Sequence, residues 1–193
     1  EFSKIKPLKI GDKVPDIQFT MVNYKNKKAN LSDFKQKIII LDFWATWCAA
    51  CTMAFPKLDS LQEKYKDDLQ IILVNSSSTK DNKFKIEKLF SALEFENKKL
   101  YSTVNDSLAN KLFPHTVVPH YVWIVDGIVK NVTKSEEITN DNIRAVLNDK
   151  ETNMRLKSDF YNSVPLYLGE NHIENNLTFN HIYGSLLWMH PKL

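Results

Sequence analysis

Glycine is scarce in this chain: four residues of 193, at Gly11, Gly127, Gly169 and Gly184, spaced too widely to build a phosphate cradle. A dinucleotide fingerprint and a P-loop are both excluded, and nucleotide-dependent chemistry loses its usual support. Arginine is scarcer still, with only Arg144 and Arg155 among 26 basic residues. The bidentate fork that reads guanine or clamps phosphate is therefore missing from any aromatic cluster, and nucleic acid is not an expected partner. The lysines face 23 acidic residues and leave a net charge of +3, which describes a solvated surface. No apolar run reaches the ~18 residues of a membrane span. The chain also opens on Glu1-Phe2-Ser3 without a methionine, a basic n-region or an apolar h-region. It reads as a mature or engineered fragment, with room for a removed signal or lipid anchor as its one link to a membrane.

What is present describes a globular protein. Hydrophobic residues make up 43% and charged residues 25%, and the length suits one domain, or one domain with an extension. Residues 17–21 alternate as a strand, and 23–30 form a polar, lysine-rich connection. Leu31-Ser32-Asp33-Phe34 predicts a short capped turn, and the β-branched run 38–43 predicts a central strand buried on both faces. Phe55, Leu58, Leu61 and Tyr65 recur at helical spacing through Pro56, which should kink that helix without ending it. A second buried strand spans 69–74, and a helix over 81–93 carries Phe84, Leu89, Phe90 and Leu93 on one side. Residues 106–113 can form a short helix. Asp126-Gly127 between two apolar strands is a hairpin signal, and a closing helix covers 138–147. This order describes an α/β mixed sheet with helices on both faces over residues 1–150. Residues 151–193, with apolar segments at 164–168 and 177–188, fall outside that plan, as a C-terminal extension or the truncated start of a second domain.

The two cysteines, Cys48 and Cys51, are separated by two alanines. A bridge between them closes too small a loop to act as a structural staple. A zinc site would need two distant histidines, and haem attachment needs His where Thr52 stands. A redox pair remains. It lies where the buried strand meets the amphipathic helix, and the first turn of a helix offers unpaired N–H groups and the positive end of the peptide dipole, which stabilise a thiolate. Cys48 is thus the expected exposed nucleophile. Cys51, one turn deeper, is the expected resolving thiol that attacks the mixed disulfide on Cys48.

The string Leu41-Asp42-Phe43-Trp44-Ala45-Thr46-Trp47-Cys48-Ala49-Ala50-Cys51 resembles the active-site segment of thioredoxin-like proteins. With the opening over residues 11–19, the Leu-Ser-Asp-Phe turn and the later Val118-Pro119, it is similar to the TlpA-like branch of extracytoplasmic disulfide reductases, over about residues 8–150. That resemblance implies a thioredoxin-like fold and a thiol:disulfide oxidoreductase whose only redox group is the Cys48–Cys51 disulfide, with no further cofactor and no metal. It implies that Pro119 has a cis bond facing the cysteines and, with Val118 and Trp47, lines the groove where a client strand docks. It also implies that Asp42 is a buried acid serving as general base for Cys51. Expected partners are protein thiols and disulfides and an upstream thiol donor, and the expected location is extracytoplasmic, in a bacterial periplasm, with tethering in the full-length protein. The Ala-Ala dipeptide departs from the Gly-Pro of thioredoxins, and no histidine lies between the cysteines, which favours a reducing or intermediate poise.

Two other readings compete. A peroxidase of the peroxiredoxin type needs proline and threonine seven and three residues before its cysteine, where this chain has Leu41 and Ala45. A metal-binding chaperone on the same fold would join His115 and His120 to the thiols, and a redox-inert interaction module would use neither sulfur.

Overall fold

The computed structural model describes residues 5–94 and 100–157. Its centre is a seven-stranded mixed sheet in the order β2-β1-β5-β4-β3-β6-β7. The strands are β1 (Gln18–Val22), β2 (Lys28–Asn30), β3 (Ile38–Trp44), β4 (Leu69–Asn75), β5 (Tyr101–Thr103), β6 (His120–Val125) and β7 (Ile128–Thr133). β3, β4 and β5 run parallel and the other neighbours antiparallel. The helices are α1 (Ala49–Lys64), α2 (Lys83–Ala92), α3 (Leu108–Leu112) and α4 (Asn140–Leu147). This is the expected α/β mixed sheet.

All seven residues of β3 are buried, as its unbroken apolar run requires. Side chains alternate across a strand, so β3 feeds two cores. Ile38, Ile40 and Trp44 face the layer made by α1, α2 and α4, through Phe55, Leu58, Phe90 and Ile143. Ile39, Leu41 and Phe43 face the opposite layer, made by the N-terminal segment and α3. Asp42, of the same parity as Ile40 and Trp44, therefore points to the face covered by α1. Asp126 and Gly127 turn β6 into β7 with φ of +50° and +76°, left-handed values that this dipeptide tolerates.

Three local expectations need correction. The lysine-rich connection contains β2, a three-residue edge strand paired to β1, and β5 was not expected at all. β5 is short and polar, yet Ser102 and Thr103 are fully buried because hydrogen bonds satisfy them. The Trp44 indole donates to Ser102 Oγ at 3.1 Å, and the Asn75 N–H donates to Thr103 Oγ1 at 3.1 Å. On α2 the buried pair is Ile86 and Phe90, whereas Phe84 and Leu93 are exposed. Asn82 caps the helix by accepting from the Lys85 N–H, which sets the phase so that the i, i+4 pair starting at Ile86 meets the sheet. Pro56 lies inside α1, which is one continuous element.

Residues 151–157 run beside β7, where Leu156 forms an antiparallel bridge with Thr133. The apolar segments 164–168 and 177–188 lie outside the described residues. Among the described residues, no helix is long and apolar enough to cross a membrane.

Candidate active site

Strand β3 ends at Trp44, and after three intervening residues the chain enters α1 with Cys48 as the N-cap. The cap position decides the chemistry, because the donors of the first helical turn point back at it. The Cys51 N–H donates to Cys48 Sγ at 3.2 Å. The two sulfurs are joined in a disulfide, with Cα atoms 5.3 Å apart. Cys48 keeps 7% of its surface exposed and Cys51 none. Cys48 is thus more covered than expected, but it alone has an opening to solvent.

The loop that presents Cys48 is clamped by residues the motif does not contain. Asp81, ahead of α2, accepts from the Thr46 N–H at 2.8 Å, the Thr46 hydroxyl at 2.5 Å and the Asn75 amide at 2.8 Å. Asn75 Nδ2 also reaches the Trp44 carbonyl at 3.4 Å. Burial alone would raise the Asp81 carboxyl, but those donors and the charge of Lys85 outweigh it and hold the carboxyl below its ordinary value. The Trp47 indole, 66% exposed, donates to the Thr79 carbonyl at 3.3 Å and so lies beside the same loop. Trp44 is fully buried, stacked on Phe90 at 5.7 Å and edge-on to Phe55, and its role is packing.

A group whose folded pKa is depressed contributes stability above its unfolded pKa, and loses it as pH falls through the folded value. Asp81→Ala is therefore expected to cost about 2 kcal/mol at neutral pH, the scale of a charged acceptor removed from buried donors. In urea titrations the difference from the native chain should be flat above pH ~5 and shrink below pH ~4, where the unfolded carboxyl protonates. A pH-independent difference would mean that Asp81 acts through packing alone.

Asp42 is fully buried, and among the described residues neither carboxylate oxygen has a hydrogen-bond partner. Its register partner across β3 and β6 is Tyr121, whose hydroxyl is likewise unpartnered. Burial pushes Asp42 well above the ordinary carboxylate range. Tyr121 is pushed up too, by burial first and then by the Asp42 charge.

The Val118–Pro119 bond is cis and leads directly into β6. His120, the first residue of β6, pairs with Phe43, the residue before the last of β3. Register thus brings Pro119 to the strand end from which the cysteine loop departs. Val118, half-buried, packs against the core that holds Cys48 and Cys51. The fold brings together Cys48, Cys51 and Val118, with Asp42 on the same face of β3 and Trp47 on the presenting loop. His115 and His120 stack at 4.5 Å, both against Phe43. His115 Nδ1 meets the Phe113 carbonyl at 2.9 Å, and His120 Nδ1 meets the Lys157 ammonium at 3.2 Å. Among the described residues, no three His, Cys, Asp or Glu side chains gather as a metal site.

Sequence reasoning missed Asp81, Asn75, Tyr121 and Lys157. A polar cluster directly after a buried strand, at Asn75 and Asp81, was the available signal for the first two. Tyr121 needed the register of two strands, and Lys157 had no local signal.

Residues 9–147 match the redoxin family. The thioredoxin-like protein YneN of Bacillus subtilis is 38% identical over 68 residues, which is 35% of this chain and 39% of that protein. The thiol-disulfide oxidoreductase ResA of Bacillus cereus is 37% identical over 79 residues, 40% of this chain and 44% of that protein. The matched stretches thus span less than half the length of these curated relatives. Among solved structures, the exposed lipoprotein thioredoxin Etrx1 of Streptococcus pneumoniae superposes with a TM-score of 0.58 at 24% identity, covering 70% of this chain and 99% of that one. The thioredoxin domain of a Bacteroides vulgatus thiol-disulfide oxidoreductase gives 0.55 at 19% identity, covering 74% and 97%. At these identities the structural likeness shows the fold alone, and that fold is thioredoxin-like.

Proposed function

Because the chain belongs to the redoxin family, in its TlpA-like thioredoxin-fold branch, we propose that it is a thiol:disulfide oxidoreductase that reduces protein disulfides through Cys48 and Cys51. The observation that carries this reading is the disulfide at the start of α1, in which Cys48 alone of the two cysteines keeps any exposed surface. In the reduced chain the Cys48 thiolate attacks a client disulfide, forming a mixed disulfide and expelling one client thiolate. Cys51, deprotonated with Asp42 as general base, then attacks Cys48 Sγ and expels the second. The client gains two electrons, the chain is left with the Cys48–Cys51 disulfide, and an upstream thiol donor restores the dithiol. The Cys51 N–H that donates to Cys48 Sγ, and the helix start behind it, favour the anion of the attacking sulfur.

Trp47, Val118 and Pro119 are the proposed client-docking residues, since they surround the strand end and loop that present Cys48. An extracytoplasmic site of action fits the reading, and tethering in the full-length protein belongs to it; one structural relative is described as an exposed lipoprotein. The deciding measurement is the potential of the Cys48/Cys51 couple, equilibrated against thiol buffers. With two alanines and no histidine between the cysteines, the couple is expected below about −180 mV, the value of protein disulfide isomerase. A potential near that of the oxidant DsbA, ~−120 mV, would reverse the direction of electron flow and remove the reductase reading.

A further inference from the structure

The family match ends at residue 147, yet the chain continues to a contact beside the proposed client groove. Residues 151–157 hold to the domain at several points. Met154 is buried in the core that contains both cysteines, and Leu156 bridges Thr133 on β7. The Lys157 N–H donates to the Val132 carbonyl at 2.8 Å. From that backbone anchor the Lys157 side chain reaches the segment leading into β6. Its ammonium donates to the Val117 carbonyl at 2.5 Å and meets His120 Nδ1 at 3.2 Å. One cation thus ties together the residues on either side of Val118-Pro119.

The partner atoms fix how this contact works. An ammonium has three donors and no acceptor, so His120 Nδ1 accepts and the ring carries its hydrogen on Nε2. The ring is buried, stacked on His115 and set edge-on to Phe43. Burial first, then the neighbouring His115 and Lys157, push its pKa down to about 2, so it stays a neutral acceptor for Lys157 through the working range. The Val117 carbonyl belongs to an exposed residue.

We propose that Lys157 is a positioning residue for client docking: its ammonium holds the segment from Val117 to His120 in the shape that receives a client strand. The inference rests on the reading that Val118 and Pro119 line the client groove. It assigns to the stretch after the family domain a part in client recognition and none in the sulfur chemistry.

The test uses the full chain in its oxidised form and two reductants. Dithiothreitol is too small to dock as a strand, whereas an unstructured dithiol peptide must lie in the groove. Lys157→Met keeps the apolar stem and removes the donors. It is expected to slow reduction by the peptide roughly fivefold, the equivalent of one net hydrogen bond, while the dithiothreitol rate stays within about twofold. Lys157→Arg, which restores a donor to the carbonyl, should recover most of the peptide rate. Equal rates in Lys157→Met and the native chain, or a parallel loss with both reductants, would overturn the proposal. Failure of the parent reading has a different signature: the reduced native chain would leave insulin disulfides intact even where the ratio of peptide to dithiothreitol rates falls as expected.

Discussion

Cys48→Ser is expected to reduce insulin disulfide turnover by roughly 10³-fold or more, to the level of the uncatalysed exchange, because the one cysteine that keeps any exposed surface is gone. The substitution is a clean test of chemistry, since serine is among the best N-cap residues and leaves the start of α1 satisfied. Cys51→Ser should behave differently. Cys48 can still attack, but the second displacement has no nucleophile, so a covalent adduct with the client accumulates and is visible by non-reducing electrophoresis. Undiminished turnover in either variant would remove the dithiol mechanism. The two outcomes follow from the unequal burial of two residues only three positions apart.

Asp42→Asn should act on the second displacement and not the first. A positioned base contributes typically 10²- to 10⁴-fold to a proton-transfer step, so release from the mixed disulfide should slow by roughly that amount while its formation is nearly unchanged. Rapid-quench separation of the two steps provides the measurement, and equal slowing of both would assign Asp42 a structural role. The same variant should be more stable than the native chain at neutral pH. The Asp42 carboxyl is raised in the folded state, so folding opposes its ionisation. Its cost is absent below the unfolded pKa of ~3.9, grows as pH rises past that value, and is complete above the folded pKa. Removing the charge should recover about 1–3 kcal/mol, the scale of a buried polar group left unsatisfied. The advantage of Asp42→Asn in urea titration should therefore be large at pH 8 and small near pH 4. A variant that gains stability while losing release rate would identify Asp42 as a group retained for function at the expense of the fold.

How much of this was legible in the sequence depended on distance along the chain. The β-branched run 38–43 and the periodic apolar residues from Phe55 onward are local signals, and they placed Cys48 and Cys51 at a strand-to-helix junction. Asp42 as a buried acid was implied by the resemblance that this segment carries, and the hairpin at Asp126-Gly127 followed from turn chemistry alone. Long-range effects were not legible. Tyr-Ser-Thr at 101–103 has no apolar periodicity, and it becomes an internal strand because Trp44 and Asn75, far away in sequence, donate hydrogen bonds to the hydroxyls of Ser102 and Thr103. Phe84 looked like core, but the phase set by the Asn82 cap turned it to solvent. The Asp81 clamp on Thr46 and the reach of Lys157 to Val117 join residues 35 and 40 positions apart through side chains, and no spacing rule announces either.

The shelter of the second sulfur also decides how the reduced chain would meet a small oxidant. Cys48 keeps 7% of its surface exposed and Cys51 none, so on the proposed reading peroxide would meet Cys48 first, leaving a sulfenic acid there and releasing water. Its neighbour then displaces a second water and closes the ring. The proposed cycle would thereby bypass the irreversible sulfinic and sulfonic stages, and an oxidative insult would leave the chain in the disulfide state in which that cycle ends.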